Sequence, residues 1–82
     1  MSETERIVVD RVLDLRGETC PYPPIYTVQE LADMNPGEVL EVIVDHPPSV
    51  TNVPKEVARH GHAVLGEPVR QGAVYRMRFQ VR

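Results

Sequence analysis

Cys20 is the only cysteine of the 82-residue chain, and it stands in the run Arg16-Gly17-Glu18-Thr19-Cys20-Pro21-Tyr22-Pro23-Pro24. Proline has no amide hydrogen and a fixed φ, so such a cluster is accepted in the first turn of a helix, where N–H groups lack intrahelical partners anyway. The run predicts a strand that ends at Gly17 and a helix that starts just beyond Cys20. A helix dipole favours a thiolate at its N-terminus by about 0.3–1 kcal/mol when exposed and about 2 kcal/mol when partly buried. That amounts to a depression of about one pKa unit from the free value of about 8.5. Cys20, Tyr22 and Pro23 each precede a proline and are pushed away from helical ψ, which predicts the first regular turn at Pro24. Glu18 opposes ionisation of the thiol and Arg16 assists it. The alternative is a buried, inert cysteine, common for this residue type. Core cysteines, however, lie inside periodic apolar segments, whereas this one lies between Gly17 and three prolines, in a connection that runs over the surface.

Other side chains compete for a role. His46, His60 and His62 could join Cys20 around a metal, but their spacing matches no recognised ligand pattern and no metal is expected. Arg70, Arg76, Arg78 and Arg82 could track phosphates. The preferred reading pairs these arginines with Asp10, Asp14 or Glu41 across strands. A formal charge of −3, with Lys55 as the one lysine against eight arginines, argues against nucleic acid as a partner. An exposed thiolate would also suit a redox sensor.

These residues must be positioned by a small set of elements. Arg6 to Leu15 reads as a strand, with Ile7, Val9, Leu13 and Leu15 on one parity and Arg11 interrupting it. Ile25 to Met34 has helical spacing and is stopped by Asn35-Pro36-Gly37. Glu38 to Asp45 is nearly continuous apolar sequence broken by Glu41, the pattern of a central strand covered on both sides. Strand, helix and strand make a right-handed parallel unit. A second helix follows from Ser49, the expected N-cap, to His60, with Gly61 as C′ residue and Pro54 confined to the first turn, or else a start at Asn52. His62 to Leu65 forms a short strand, Gly66 to Gly72 a connection, and Ala73 to Val81 an alternating last strand with Tyr75, Met77, Phe79 and Val81 on one face. The expected fold is an α+β two-layer sandwich of order βαβαββ, a four-stranded mixed sheet with two helices on one face. The parallel unit would bring the C-terminal ends of its strands to one edge, with Asp45 and His46 at the rim of the cysteine site.

The length allows one domain, residues 1–82, with residues 1–5 expected to be disordered. A lone cysteine permits no internal disulfide or dithiol motif and fits a reducing compartment. The polar start lacks the pattern of a secretion signal, and no apolar run nears the about 20 residues needed to cross a bilayer. The expectation is a cytoplasmic protein without membrane contact, monomeric, and without a cofactor.

Leu13-Asp14-x-Arg16-Gly17-x-x-Cys20-Pro21-x-Pro23 resembles the TusA/SirA-type sulfur-carrier family, whose Cys-Pro-x-Pro signature precedes the first helix of a small βαβαββ domain. The likeness continues through Pro36-Gly37-Glu38-Val39-Leu40, Asp45-x-Pro47 and Gly61-His62. It implies that Cys20 accepts a sulfane sulfur from a cysteine desulfurase or rhodanese, holds it as a persulfide, and relays it to an acceptor protein in tRNA thiolation, cofactor biosynthesis or sulfur oxidation. Pro21 and Pro23 would shape the loop, and Arg16 and Gly17 would position it. The chain departs from the family pattern in the non-basic Tyr26, Thr27, Val28 and Gln29, in His46, and in Pro24. A small RNA- or protein-binding module and a thiol redox sensor are the competing functions.

Overall fold

Val39, Leu40, Val42, Ile43 and Val44 leave the chain no polar face at this segment, and all six residues of the strand Val39–Val44 are buried. The computed structural model describes residues 8–19 and 21–82, so Cys20, the start of the expected first strand at Arg6, and the 1–5 segment lie outside the described residues. In chain order the elements are β1 (Arg11–Asp14), α1 (Tyr22–Ala32), β2 (Val39–Val44), α2 (Ser49–Arg59), β3 (Ala63–Val64), β4 (Val69–Gln71) and β5 (Val74–Gln80). β2 pairs in parallel with β1, Leu13 opposite Val42, and antiparallel with β5, Val42 opposite Met77.

The helices cover one face of this sheet. Leu40, Val42 and Val44 from β2 and Met77 and Phe79 from β5 form a single cluster with Leu15, Leu31 beneath α1, and Val53 and Val57 beneath α2. The two-layer α+β architecture is as the pattern predicts.

The sheet has five strands rather than four, although it is four strands wide. β3 and β4 both pair with β5 along its outer edge, at Val64 opposite Phe79 and at Val69 opposite Arg76. Between them Gly66 takes φ +74° and Pro68 has no amide to donate, so the edge strand is broken and then resumes. The hairpin connection expected at 66–72 thus contains a strand of its own.

Several boundaries differ from expectation. β1 spans only Arg11–Asp14, with residues 8–10 and Leu15 outside it, and α1 ends at Ala32 instead of Met34. α1 starts at Tyr22 instead of Pro24, because prolines in the first turn forfeit only N–H groups that the helix leaves unpaired there. Pro54 lies inside α2, past its first turn. The opening residues are tied instead by shorter bonds, from the amides of Ser49, Val50 and Thr51 to the carbonyls of His46, Pro47 and Pro48. Ser49 is the first helical residue and not a cap: its hydroxyl is buried without a hydrogen-bond partner among the described residues. At the other end, Gly61 at φ +87° closes α2, with its amide on the Ala58 carbonyl and that of His62 on the Val57 carbonyl.

Charges occupy defined places. Arg11 interrupts the inward parity of β1 because its guanidinium reaches Glu30 at 2.6 Å and Asp33 at 3.3 Å. Those carboxylates, Glu30 foremost, raise its pKa further. On the open face Glu41 is buried in the middle of β2, where it accepts Arg76 at 2.8 Å and Arg78 at 3.1 Å. A carboxylate so deeply placed requires such partners. Phe79→Ala is expected to cost about 3–5 kcal/mol in urea unfolding, as a cavity at the centre of the cluster implies. Glu41→Gln, which keeps the volume but drops the charge, is expected to cost about 1 kcal/mol in the same measurement.

Candidate functional site

The parallel pairing of β1 and β2 brings two strand ends and two helix starts to one edge. The amide of Leu15 donates to the Ile43 carbonyl at 2.8 Å, one residue beyond β1, and the Leu15 side chain is buried. The chain is therefore anchored until it turns. It turns through Leu15-Arg16-Gly17-Glu18, closed by the Glu18 amide on the Leu15 carbonyl at 3.1 Å. Gly17 takes φ +88° at the third position, where a side chain would be strained.

Two carboxylates hold this turn. Asp14 accepts the Arg16 guanidinium at 2.7 and 2.9 Å and the Arg16 amide at 3.1 Å. Arg16 in consequence keeps Asp14 below the usual carboxylate range, and Asp14 raises the pKa of Arg16. From the β2–α2 loop, Asp45 Oδ1 accepts the Gly17 amide at 3.0 Å. Asp45 thus bridges the two loops of the edge. His46 contributes its carbonyl, which accepts the Ser49 amide at 2.9 Å.

Beyond the undescribed position 20, Pro21 caps α1 with φ −97° and ψ 15°. The Tyr22 amide donates back to the Thr19 carbonyl at 2.9 Å, a hydrogen bond between the described stretches on either side of position 20. Pro23 is buried, and its carbonyl accepts the Thr27 hydroxyl at 2.8 Å. Arg16, Gly17, Pro21, Pro23 and Asp45 accordingly share one edge.

The other candidates disperse. His60 pairs with Glu56 at 3.1 Å, and His62 Nδ1 accepts the Arg82 amide at 3.2 Å. Among the described residues no group of three or more histidine, aspartate or glutamate side chains is arranged for a metal. Of the arginines, Arg76 and Arg78 are engaged by Glu41, and Arg70 lies 6.0 Å above the Tyr75 ring. Among the described residues no helix is long and apolar enough to cross a membrane.

One feature of this edge has no counterpart in the sequence reading. A groove of about 440 Å³ runs between the start of α1, at Pro21, Pro24 and Ile25, and the α2 stripe Asn52, Lys55, Glu56 and Arg59. The stripe recurs at i, i+3, i+4 and i+7, a pattern visible in the sequence on the polar side of α2, but its proximity to Pro21 depends on how the helices pack.

Residues 11–81 match the family model described as Sulfurtransferase TusA. Over 64 residues, 78% of this chain and 73% of the relative, the sequence is 47% identical to a candidate sulfur carrier protein of Archaeoglobus fulgidus. Over 61 residues, 74% of this chain and 79% of the relative, it is 43% identical to YedF, a candidate sulfur carrier protein of Escherichia coli K12. Among solved structures, a SirA-like protein from Desulfitobacterium hafniense superposes with a TM-score of 0.74 at 26% identity, covering 85% of this chain and 95% of that one.

Asp45→Ala is expected to speed hydrogen exchange at the Gly17 amide about five- to tenfold, as the loss of one hydrogen bond implies. The Arg16 amide, measured against its intrinsic exchange rate, has a different pH signature. The Asp14 carboxyl is lowered in the folded chain, so its contribution is present above the ordinary aspartate value and is lost as pH falls through the folded one. Protection of Arg16 is therefore expected to be flat from about pH 5 to 8 and to fail only below about pH 4.

Proposed function

The chain belongs to the Sulfurtransferase TusA family, and from that premise we propose that it is a sulfur carrier whose Cys20 holds a sulfane sulfur as a persulfide between a donor protein and an acceptor protein. The observation that carries this reading is that the matched segment, residues 11–81, runs through Cys20-Pro21-x-Pro23 just where β1 has ended and α1 begins. The curated relatives described as candidate sulfur carriers support the same role.

The chemistry is two exchanges. The Cys20 thiolate attacks the outer sulfur of a donor persulfide; the donor's S–S bond breaks, a new S–S bond forms on Cys20, and the donor cysteine leaves as a thiolate. An acceptor thiolate then attacks the outer sulfur on Cys20 and restores the Cys20 thiolate. Neither step has net oxidation or reduction, so no cofactor is required. Cys20 is the chain's only cysteine, so no second thiol in the chain can discharge the persulfide as a disulfide.

The surrounding residues suit this task. A turn pinned by Asp14 and Asp45 keeps Arg16 and Gly17 in place, which limits the loop motion that would misplace the sulfur. The α1 dipole favours an anion before its first turn. Pro21 and Pro23 start that turn without amide hydrogens. Asp45 and His46 would form the rim on the β2 side, and a reducing cytoplasm suits a persulfide that must stay unoxidised.

The test is intact-mass spectrometry after incubation with a cysteine desulfurase and cysteine, or with rhodanese and thiosulfate, on the wild type and on Cys20→Ser. A thiol-reversible gain of one sulfur on the wild type alone is expected. No gain from either donor, with Cys20 shown to be alkylated readily, would sink the carrier role.

A further inference from the structure

The sulfur exchanges use Cys20 and leave unassigned the outward surface between the start of α1 and the length of α2 from Asn52 to Arg59. That surface has three parts. The first is the groove of about 440 Å³ with Pro21, Pro24 and Ile25 along one wall. The second continues from it on α1, where Tyr22, Ile25 and Tyr26 are 49%, 44% and 37% exposed. These three recur at i, i+3 and i+4, and the two tyrosine rings stack at 5.9 Å, which joins them into one platform. The third is the opposite wall on α2, where Lys55 and Arg59 stand beside Glu56.

Charge decides what such a surface fits. Glu56 is committed to near neighbours in the chain, to Arg59 at 3.1 Å and to His60, just past the end of α2, at 3.1 Å. Lys55, the only lysine of a chain with formal charge −3, makes no ion pair among the described residues. The groove therefore presents an uncompensated cation beside an apolar wall, on a protein that is acidic as a whole. A low-molecular-weight thiol would fill the groove and leave the tyrosine platform in water. Exposed apolar side chains collected on one face in this way mark a protein contact.

We infer that this face docks the protein that exchanges sulfur with Cys20, taking an apolar side chain of the partner against Pro24 and Ile25 and an acidic side chain against Lys55. The inference rests on the carrier role. Because Pro21 lines the groove and follows Cys20 directly in sequence, a partner seated there needs to extend only a short segment to reach the thiol. The cationic contact comes from α2, not from the first turns of α1, where Thr27 is fully buried and holds the Pro23 carbonyl.

The test separates docking from sulfur chemistry by using two sources of sulfur. Sodium polysulfide needs no docking face, and it is expected to load the wild type, Lys55→Glu, Lys55→Gln and Ile25→Asp at rates within about twofold of one another. Transfer from the protein donor that loads the wild type, cysteine desulfurase or rhodanese, is expected to fall about tenfold or more in Lys55→Glu and Ile25→Asp and less in Lys55→Gln. Added salt is expected to slow the wild type towards the Lys55→Gln rate. Wild-type rates of donor transfer in Lys55→Glu or Ile25→Asp would overturn the docking face and leave the carrier role standing. Failure of both protein donors, or of polysulfide, to load the wild type would instead remove the carrier role on which the docking face rests.

Discussion

The constraint on which this structure depends is the complete burial of β2. A strand with no solvent face must have a strand on each side and cover on both surfaces, and the chain supplies these with β1, β5, the two helices and a layer of arginines. Because β1 pairs with it in parallel, the ends of both strands and the starts of both helices fall on the same edge. The Gly17 to Asp45 hydrogen bond is a direct result, since it joins residues 28 apart in sequence that leave adjacent strands side by side. Glu41 is the one polar side chain placed inside this strand. Its two arginines satisfy both carboxylate oxygens and occupy the face that the helices leave open.

The start of α1 shows how prolines change what a helix can offer an anion. Of its first three residues, Pro23 and Pro24 have no amide hydrogen, and that of Tyr22 is taken by the Thr19 carbonyl. The N-terminus thus presents the field of the dipole with few of the donors that normally accompany it. On the proposed carrier role, a persulfide on Cys20 would meet the dipole field of α1 with few amide donors to release when the sulfur moves on.

Much of this was legible in the residues themselves. The apolar run of β2 around Glu41, the prolines after Gly17 and the Gly61 stop each report a local physical requirement, and a central strand, a helix start and a helix end lie at these places. What periodicity could not convey was pairing at a distance. Arg11 looks like a defect in β1 until Glu30 and Asp33 are found opposite it on α1. β4 is hidden because its three residues acquire strand geometry only from the free edge of β5. Ser49 has the chemistry of an N-cap, yet the helix opens one residue earlier, with Pro48 at the cap position, and the Ser49 hydroxyl is buried without a partner among the described residues. The groove beside Pro21 is likewise a property of two helix faces, neither of which forms it alone.

The site also divides its tasks among different elements. The turn that carries the cysteine loop is held by the Arg16–Asp14 pair and by Asp45, all of them close to the strand ends. The exposed tyrosines, Ile25 and Lys55 lie on the outer faces of the helices and take no part in those bonds. A substitution on the helix faces therefore leaves the geometry of the loop untouched, whereas one at Asp14, Gly17 or Asp45 changes it. The non-basic start of α1 fits that division: with Thr27 turned into the core and Tyr22 and Tyr26 stacked outside, the first two turns serve packing and apolar contact, and positive charge is left to the neighbouring helix.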